Sequence, residues 1–121
     1  MLLRTVFLLA VGLLAGGATP VFAHAHLKST QPAAGSTVEK PPTELMLQVT
    51  EELEVPFCKV QLVDASGHRL DLLDVAHDAA DPGVLHVALG PLSSGRYEVV
   101  WRVVAVDGHM MTGTYAFTVA Q

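Results

Sequence analysis

Between Arg96 and Val106 the chain runs Arg-Tyr-Glu-Val-Val-Trp-Arg-Val-Val-Ala-Val, and this alternation limits what it can fold into more than any other feature. Successive side chains of a strand point to opposite faces. Tyr97, Val99, Trp101, Val103 and Ala105 therefore share one face, and Glu98, Val100, Arg102, Val104 and Val106 share the other. The face with Tyr and Trp is expected to be the inner face of a sandwich.

The rest of the chain past residue 24 fits the same class. Short β-branched and apolar runs are separated by Gly, Pro, Asp and Ser clusters, the pattern of an antiparallel all-β domain, and no run has a helical period. The expected strands are Ala25 to Ser29, Glu44 to Thr50, Phe57 to Val63, Arg69 to Leu73, Val84 to Leu89, Arg96 to Val106 and Gly113 to Val119. Turns are expected at Gln31 to Gly35, Asp64 to Gly67 and Pro91 to Gly95. Asp74 to Gly83 reads as a polar loop crossing between sheets, with His77 solvated in it. His68 reads as a turn residue and His86 as a strand-face residue. Leu92-Ser93-Ser94-Gly95-Arg96-Tyr97 has the form of a tyrosine corner, in which the hydroxyl bonds back to the chain upstream.

The first 23 residues differ in kind. Arg4 supplies a positive start, Val6 to Ala15 an apolar stretch, and Gly16 to Pro20 a break before Val21-Phe22-Ala23, which has the small residues a signal peptidase reads. Residues 1–23 are thus expected to be a cleaved signal peptide and 24–121 one mature domain, with Ala18 and Ala25 as competing cleavage points. The apolar run is interrupted well short of the roughly 20 residues that a membrane span needs. After cleavage no membrane anchor is expected.

The chain carries 7 Lys and Arg against 12 Asp and Glu, a net charge of −5, which disfavours nucleic acid as a partner. Cys58 is the single cysteine, so no intramolecular disulfide forms even in an oxidising compartment. Its apolar neighbours mark it as a small core residue.

Cleavage after Ala23 would make His24 the first residue. Its free amine and ring Nδ1 then chelate one ion, which no internal histidine can do, and the amine titrates at roughly 7.7 to 8.0, so a metal displaces its proton at modest cost. Right after the strongest strand comes Asp107-Gly108-His109. In an extended segment residues two apart face the same side, so Asp107 and His109 can present an oxygen and a nitrogen together, although Asp-Gly is also a common hairpin turn. Nitrogen-rich donors with one carboxylate suit Cu(II), which also leads the first-row divalent ions in affinity. Zn(II) would need the same donors drawn toward a tetrahedron. With no thiolate or methionine cluster among them, Cu(I) is not indicated.

These residues carry a resemblance. His24-Ala25-His26-Leu27, the Pro32 to Ser36 turn, Thr50-Glu51 after a strand, Gly95-Arg96-Tyr97 with Trp101 to Val104, and Asp107-Gly108-His109 before Thr112-Gly113 together resemble the CopC family of small periplasmic copper-binding proteins. The resemblance spans the mature domain. It implies a seven-stranded immunoglobulin-like Greek-key sandwich or barrel, and one Cu(II) held by His24, Asp107 and His109, with Glu51 a neighbouring acid. It implies a periplasmic carrier or buffer in copper homeostasis and resistance, with no catalytic residue. The partners it implies are a CopD-like inner-membrane protein and a periplasmic multicopper oxidase.

Some members of that family hold Cu(I) on a methionine-rich loop, but Asp71 to Gly83 has no methionine. Many relatives have Pro after the final histidine, where this chain has Met110-Met111, expected to fill the barrel end. His26 is expected beside the site. The alternative, Cu(II) wrapped by the His24 amine, two backbone amides and the His26 ring, stays open, although it would remove those amides from a strand ladder. Two further readings compete with a carrier: a histidine-brace copper oxidase of the lytic-polysaccharide-monooxygenase kind, and a Zn(II)-binding sandwich.

Overall fold

The computed structural model describes residues 27–70 and 74–121. The expected signal peptide, His24, His26, the start of the first expected strand at Ala25 and the end of the fourth at residues 71–73 lie outside the described residues.

Nine strands are formed among the described residues. They are β1 (Leu27–Gln31), β2 (Thr37–Val38), β3 (Glu44–Val49), β4 (Lys59–Val63), β5 (Arg69–Leu70), β6 (Val75–His77), β7 (Val84–Ala88), β8 (Gly95–Val104) and β9 (Met110–Val119), with one 3-10 turn at Val55–Phe57. One sheet has the order β1-β3-β7-β6, the other β2-β9-β8-β4-β5. Apart from the parallel β2–β9 pair, every ladder is antiparallel. This is the two-sheet order of immunoglobulin-like domains, as expected.

The expected count of seven strands is too low. Val75–His77 lies in what read as a crossing loop, yet it pairs with β7 through Val75–Val87, Ala76–His86 and His77–Leu85. Only Val75 of its three residues is partly buried, so no period of two exists to be read; β7 imposes the strand. Thr37–Val38 is equally short and is held by Thr118 and Val119.

Burial follows the alternation. Tyr97, Val99, Trp101, Val103 and Ala105 are all buried, facing Leu45, Leu47, Leu85 and Val87 of the other sheet. Each such side chain contributes about 1.5–3 kcal/mol when fully buried. Tyr97 stacks on Phe117 with centroids 5.6 Å apart, and its hydroxyl donates to the Ser93 carbonyl at 2.7 Å, so the tyrosine corner is present. Cys58 is buried, its thiol donating to the Glu54 carbonyl at 3.3 Å, and burial pushes its pKa up.

The last strand starts three residues earlier than expected, at Met110. Gly113, the expected first residue of that strand, sits inside it, opposite Trp101 in the ladder. A Cβ there would lie 2.5 Å from the indole, so the glycine is what lets the ring cross the strand. The two methionines separate by the same alternation: Met111 is buried, as expected, whereas Met110 is exposed and fills nothing.

Candidate metal centre

The hairpin joining β8 to β9 closes through two backbone bonds, Gly108 N–H to the Ala105 carbonyl at 2.9 Å and Ala105 N–H to the His109 carbonyl at 2.8 Å. This is a three-residue loop, a tight turn followed by a left-handed residue. Gly108 takes that place with φ of 93°, a conformation costly for a residue with a Cβ. The Asp-Gly pair therefore sets the turn, and the turn aims its neighbours.

Asp107 and His109 are brought together, though not by an extended segment. Asp107 Oδ1 accepts the His109 backbone N–H at 3.0 Å, and Asp107 Oδ2 lies 2.9 Å from His109 Nδ1. A short carboxylate accepting the amide two residues on is a common turn device. The backbone bond from His109, followed by the bond from its ring, holds the Asp107 carboxyl below its ordinary pKa. With Nδ1 engaged, Nε2 is the ring nitrogen left to face an ion.

The third member comes from the other sheet. Past β3, the segment Thr50 to Leu53 is fixed on both sides: Val49 N–H donates to the Gly83 carbonyl, Leu53 N–H to the Pro82 carbonyl and Val106 N–H to the Glu52 carbonyl. Leu53 also bridges to Ala105. Glu51 is thereby pinned against the hairpin, and one donor atom each from Glu51, Asp107 and His109 lie within 4.8 Å of one another. Donors bound at 2.0–2.2 Å to a single ion stand at most about 4.4 Å apart, so at most a few tenths of an ångström of closure is required. Glu51 Oε2 is buried with no hydrogen-bond partner. A buried carboxylate oxygen without a partner is costly, and a cation at this point would satisfy it.

His77, exposed as expected, also belongs to this neighbourhood. Its Nε2 donates to the Leu53 carbonyl at 2.5 Å, so β6 braces the segment that carries Glu51. No spacing in the sequence marks that contact, because it depends on a three-residue strand. His68 is a turn residue as expected, with Nδ1 2.9 Å from Ser66 Oγ. His86 lies on the outer face of β7, bound to Asp78 Oδ1 at 2.7 Å.

A CopC domain model matches residues 27–120. The chain belongs to the CopC family. It is 35% identical to Protein YobA of Escherichia coli (strain K12) over 100 residues, which is 82% of this chain and 81% of that protein. It is also 35% identical over 119 residues to Copper resistance protein C of Escherichia coli, 93% of this chain and 94% of the relative. The crystal structure of CopC from Methylosinus trichosporium OB3b superposes with a TM-score of 0.73 at 27% identity, covering 78% of this chain and 92% of that one. The paired sheets of this CopC-family domain thus have a solved counterpart over most of their length.

Proposed function

We propose that this chain is a periplasmic copper-binding protein, a non-enzymatic carrier or buffer of one Cu(II) in copper homeostasis and resistance, with His24, Asp107 and His109 as ligands and Glu51 beside them. The observation that carries this reading is the triangle of Glu51, Asp107 and His109 with its unpartnered buried oxygen. Its donors are oxygen and imidazole nitrogen, a set suited to Cu(II). The name of the relative Copper resistance protein C supports copper over zinc.

His24 is consistent with this geometry. The chain enters β1 at Leu27, opposite Val49, two residues before Glu51. Three residues reach at most about 10 Å, so an N-terminal chelate at His24 stays within that distance of Leu27, which pairs with the β3 end from which Glu51 follows. Asp107 orients the His109 ring and lends negative charge; Glu51 adds a second carboxylate from the opposite sheet. An ion held between a chain terminus and a hairpin tip is released by withdrawing the terminus alone. The partners in this reading are a CopD-like inner-membrane protein and a periplasmic multicopper oxidase.

The test compares protein beginning at His24 with protein retaining one residue before it. Competition titration and electron paramagnetic resonance should give one tetragonal Cu(II) per mature chain and much weaker binding by the extended form. Equal affinities would remove His24 from the site. Sustained oxygen turnover with ascorbate above that of free copper would replace the carrier with an oxidase.

A further inference from the structure

The outer face of the β2-β9-β8-β4-β5 sheet is cationic on an acidic protein. Of the chain's 7 Lys and Arg, Lys59, Arg69, Arg96 and Arg102 all project from this face, since they alternate with, or pair beside, the inward Val60, Leu62, Tyr97 and Val99. Glu98 is the one carboxylate on its strands among the described residues. None of the four cations is in an ion pair among the described residues, where every such pair involves histidine.

Lys59 stands directly opposite Arg102 in the ladder, and like charges in that position repel. Arg102 reaches only the Phe57 carbonyl, Nη2 donating at 3.5 Å, while its Nε is buried without a partner. Between them opens a cleft of about 410 Å³ whose lining includes Trp101, Gly113 and Thr112. Toward the metal hairpin the face becomes apolar. Phe57, Val106 and Met110 are the exposed large hydrophobic residues of the described chain, and Val106 and Met110 bracket Asp107 to His109.

We propose that this cleft docks an acidic segment of a partner protein, with its carboxylates against Lys59 and Arg102 and an apolar side chain against Phe57 and Met110. Carboxylates there relieve the like-charge repulsion between Lys59 and Arg102, while the apolar contact removes exposed surface from water. A partner so placed lies alongside the hairpin that carries His109, the position that hand-over of an ion requires; this consequence rests on the copper reading, whereas the docking does not.

Trp101 is the only tryptophan, so its fluorescence reports on the cleft. Metal-free protein is titrated with an acetylated, amidated peptide of sequence EEFEE, with its basic counterpart RRFRR, and with phosphatidylglycerol–phosphatidylethanolamine vesicles. The expected result is a saturable change with the acidic peptide alone, weakened by salt as the Debye length shrinks. Affinity should fall about tenfold in Lys59→Gln with Arg102→Gln, with copper binding unchanged. Lys59→Gln alone, at an exposed position, should show part of the loss should the double variant not fold. No saturable change, equal binding by the variants, or binding of vesicles in place of the peptide would overturn the proposal, the last assigning the face to anionic lipid. Because the readout is metal-free, either proposal can fail without the other.

Discussion

Two places on this protein gather one histidine and two carboxylates, and they do opposite things. At the hairpin end are His109, Asp107 and Glu51. On the outer face of the other sheet are His86, Asp78 and Glu44, with His86 Nε2 2.7 Å from Asp78 and Nδ1 3.4 Å from Glu44. In the second cluster the carboxylate of Asp78 is already spent on the fold: Oδ2 accepts the Ala80 and Asp81 amides while Oδ1 takes the His86 ring, and the atom left without a hydrogen-bond partner is a ring nitrogen, His86 Nδ1, 3.4 Å from Glu44. In the first, Glu51 Oε2 is buried with nothing to accept. Residue type does not distinguish the clusters; whether the less exposed carboxylate is already partnered does.

The sharpest way to break the comparison is to remove each imidazole in turn. His109→Ala should lower Cu(II) affinity by about a hundredfold or more and remove a nitrogen from the resonance spectrum. His86→Ala should leave both unchanged while lowering Tm. Loss of copper binding in the His86 variant would mean that the two clusters had been assigned the wrong way round.

Exchanging a carboxylate gives a smaller effect. Glu51→Gln should weaken Cu(II) binding about tenfold and, with no ion present, leave Tm equal or higher, because a neutral amide is cheaper to bury unpartnered than a charge. Glu44→Gln should do nothing to copper. A Glu51 variant that binds copper as tightly as the parent would show that the orphaned oxygen is not satisfied by the ion.

Next comes the hairpin's geometry. Gly108→Ala places a Cβ at φ of 93°, and its cost should be about 1–2 kcal/mol, read as a lower denaturation midpoint. Nothing lies within 4 Å of that added Cβ, so any effect comes from the backbone. A weakened copper site should accompany it, because the same turn aligns Asp107 with His109.

The smallest effect is a pH dependence confined to the structural cluster. The Asp78 hydrogen bond, assisted by Glu44, raises the His86 pKa above its ordinary value, and Asp78 is lowered in return by His86 and the Ala80 amide. A raised histidine stabilises the fold fully below its unfolded value of about 6.5, and that contribution is lost as the pH rises through the folded value. Asp78→Asn should therefore lower Tm more at about pH 5 than at about pH 8, and nuclear magnetic resonance should show the His86 midpoint falling in the variant. An unchanged midpoint would show that the pair is not coupled.

Sequence alone determined much of this protein, because its strongest signals are local. Alternation from Tyr97 to Ala105 fixed which face is core, Ser93 to Tyr97 announced its corner bond, and Asp107-Gly108-His109 named two members of the cluster, since a turn and the residues it aims are neighbours in the chain. The alignment of Asp107 with His109 comes from a side-chain-capped turn rather than from strand alternation. Tertiary structure decided what depends on distant partners. Val75–His77 is a strand because β7 lies beside it, His77 braces Leu53 across 24 positions, and Glu51 meets His109 because two sheets end at the same edge. Contacts of that kind leave no period or spacing behind; they exist only once the sheets have closed on each other.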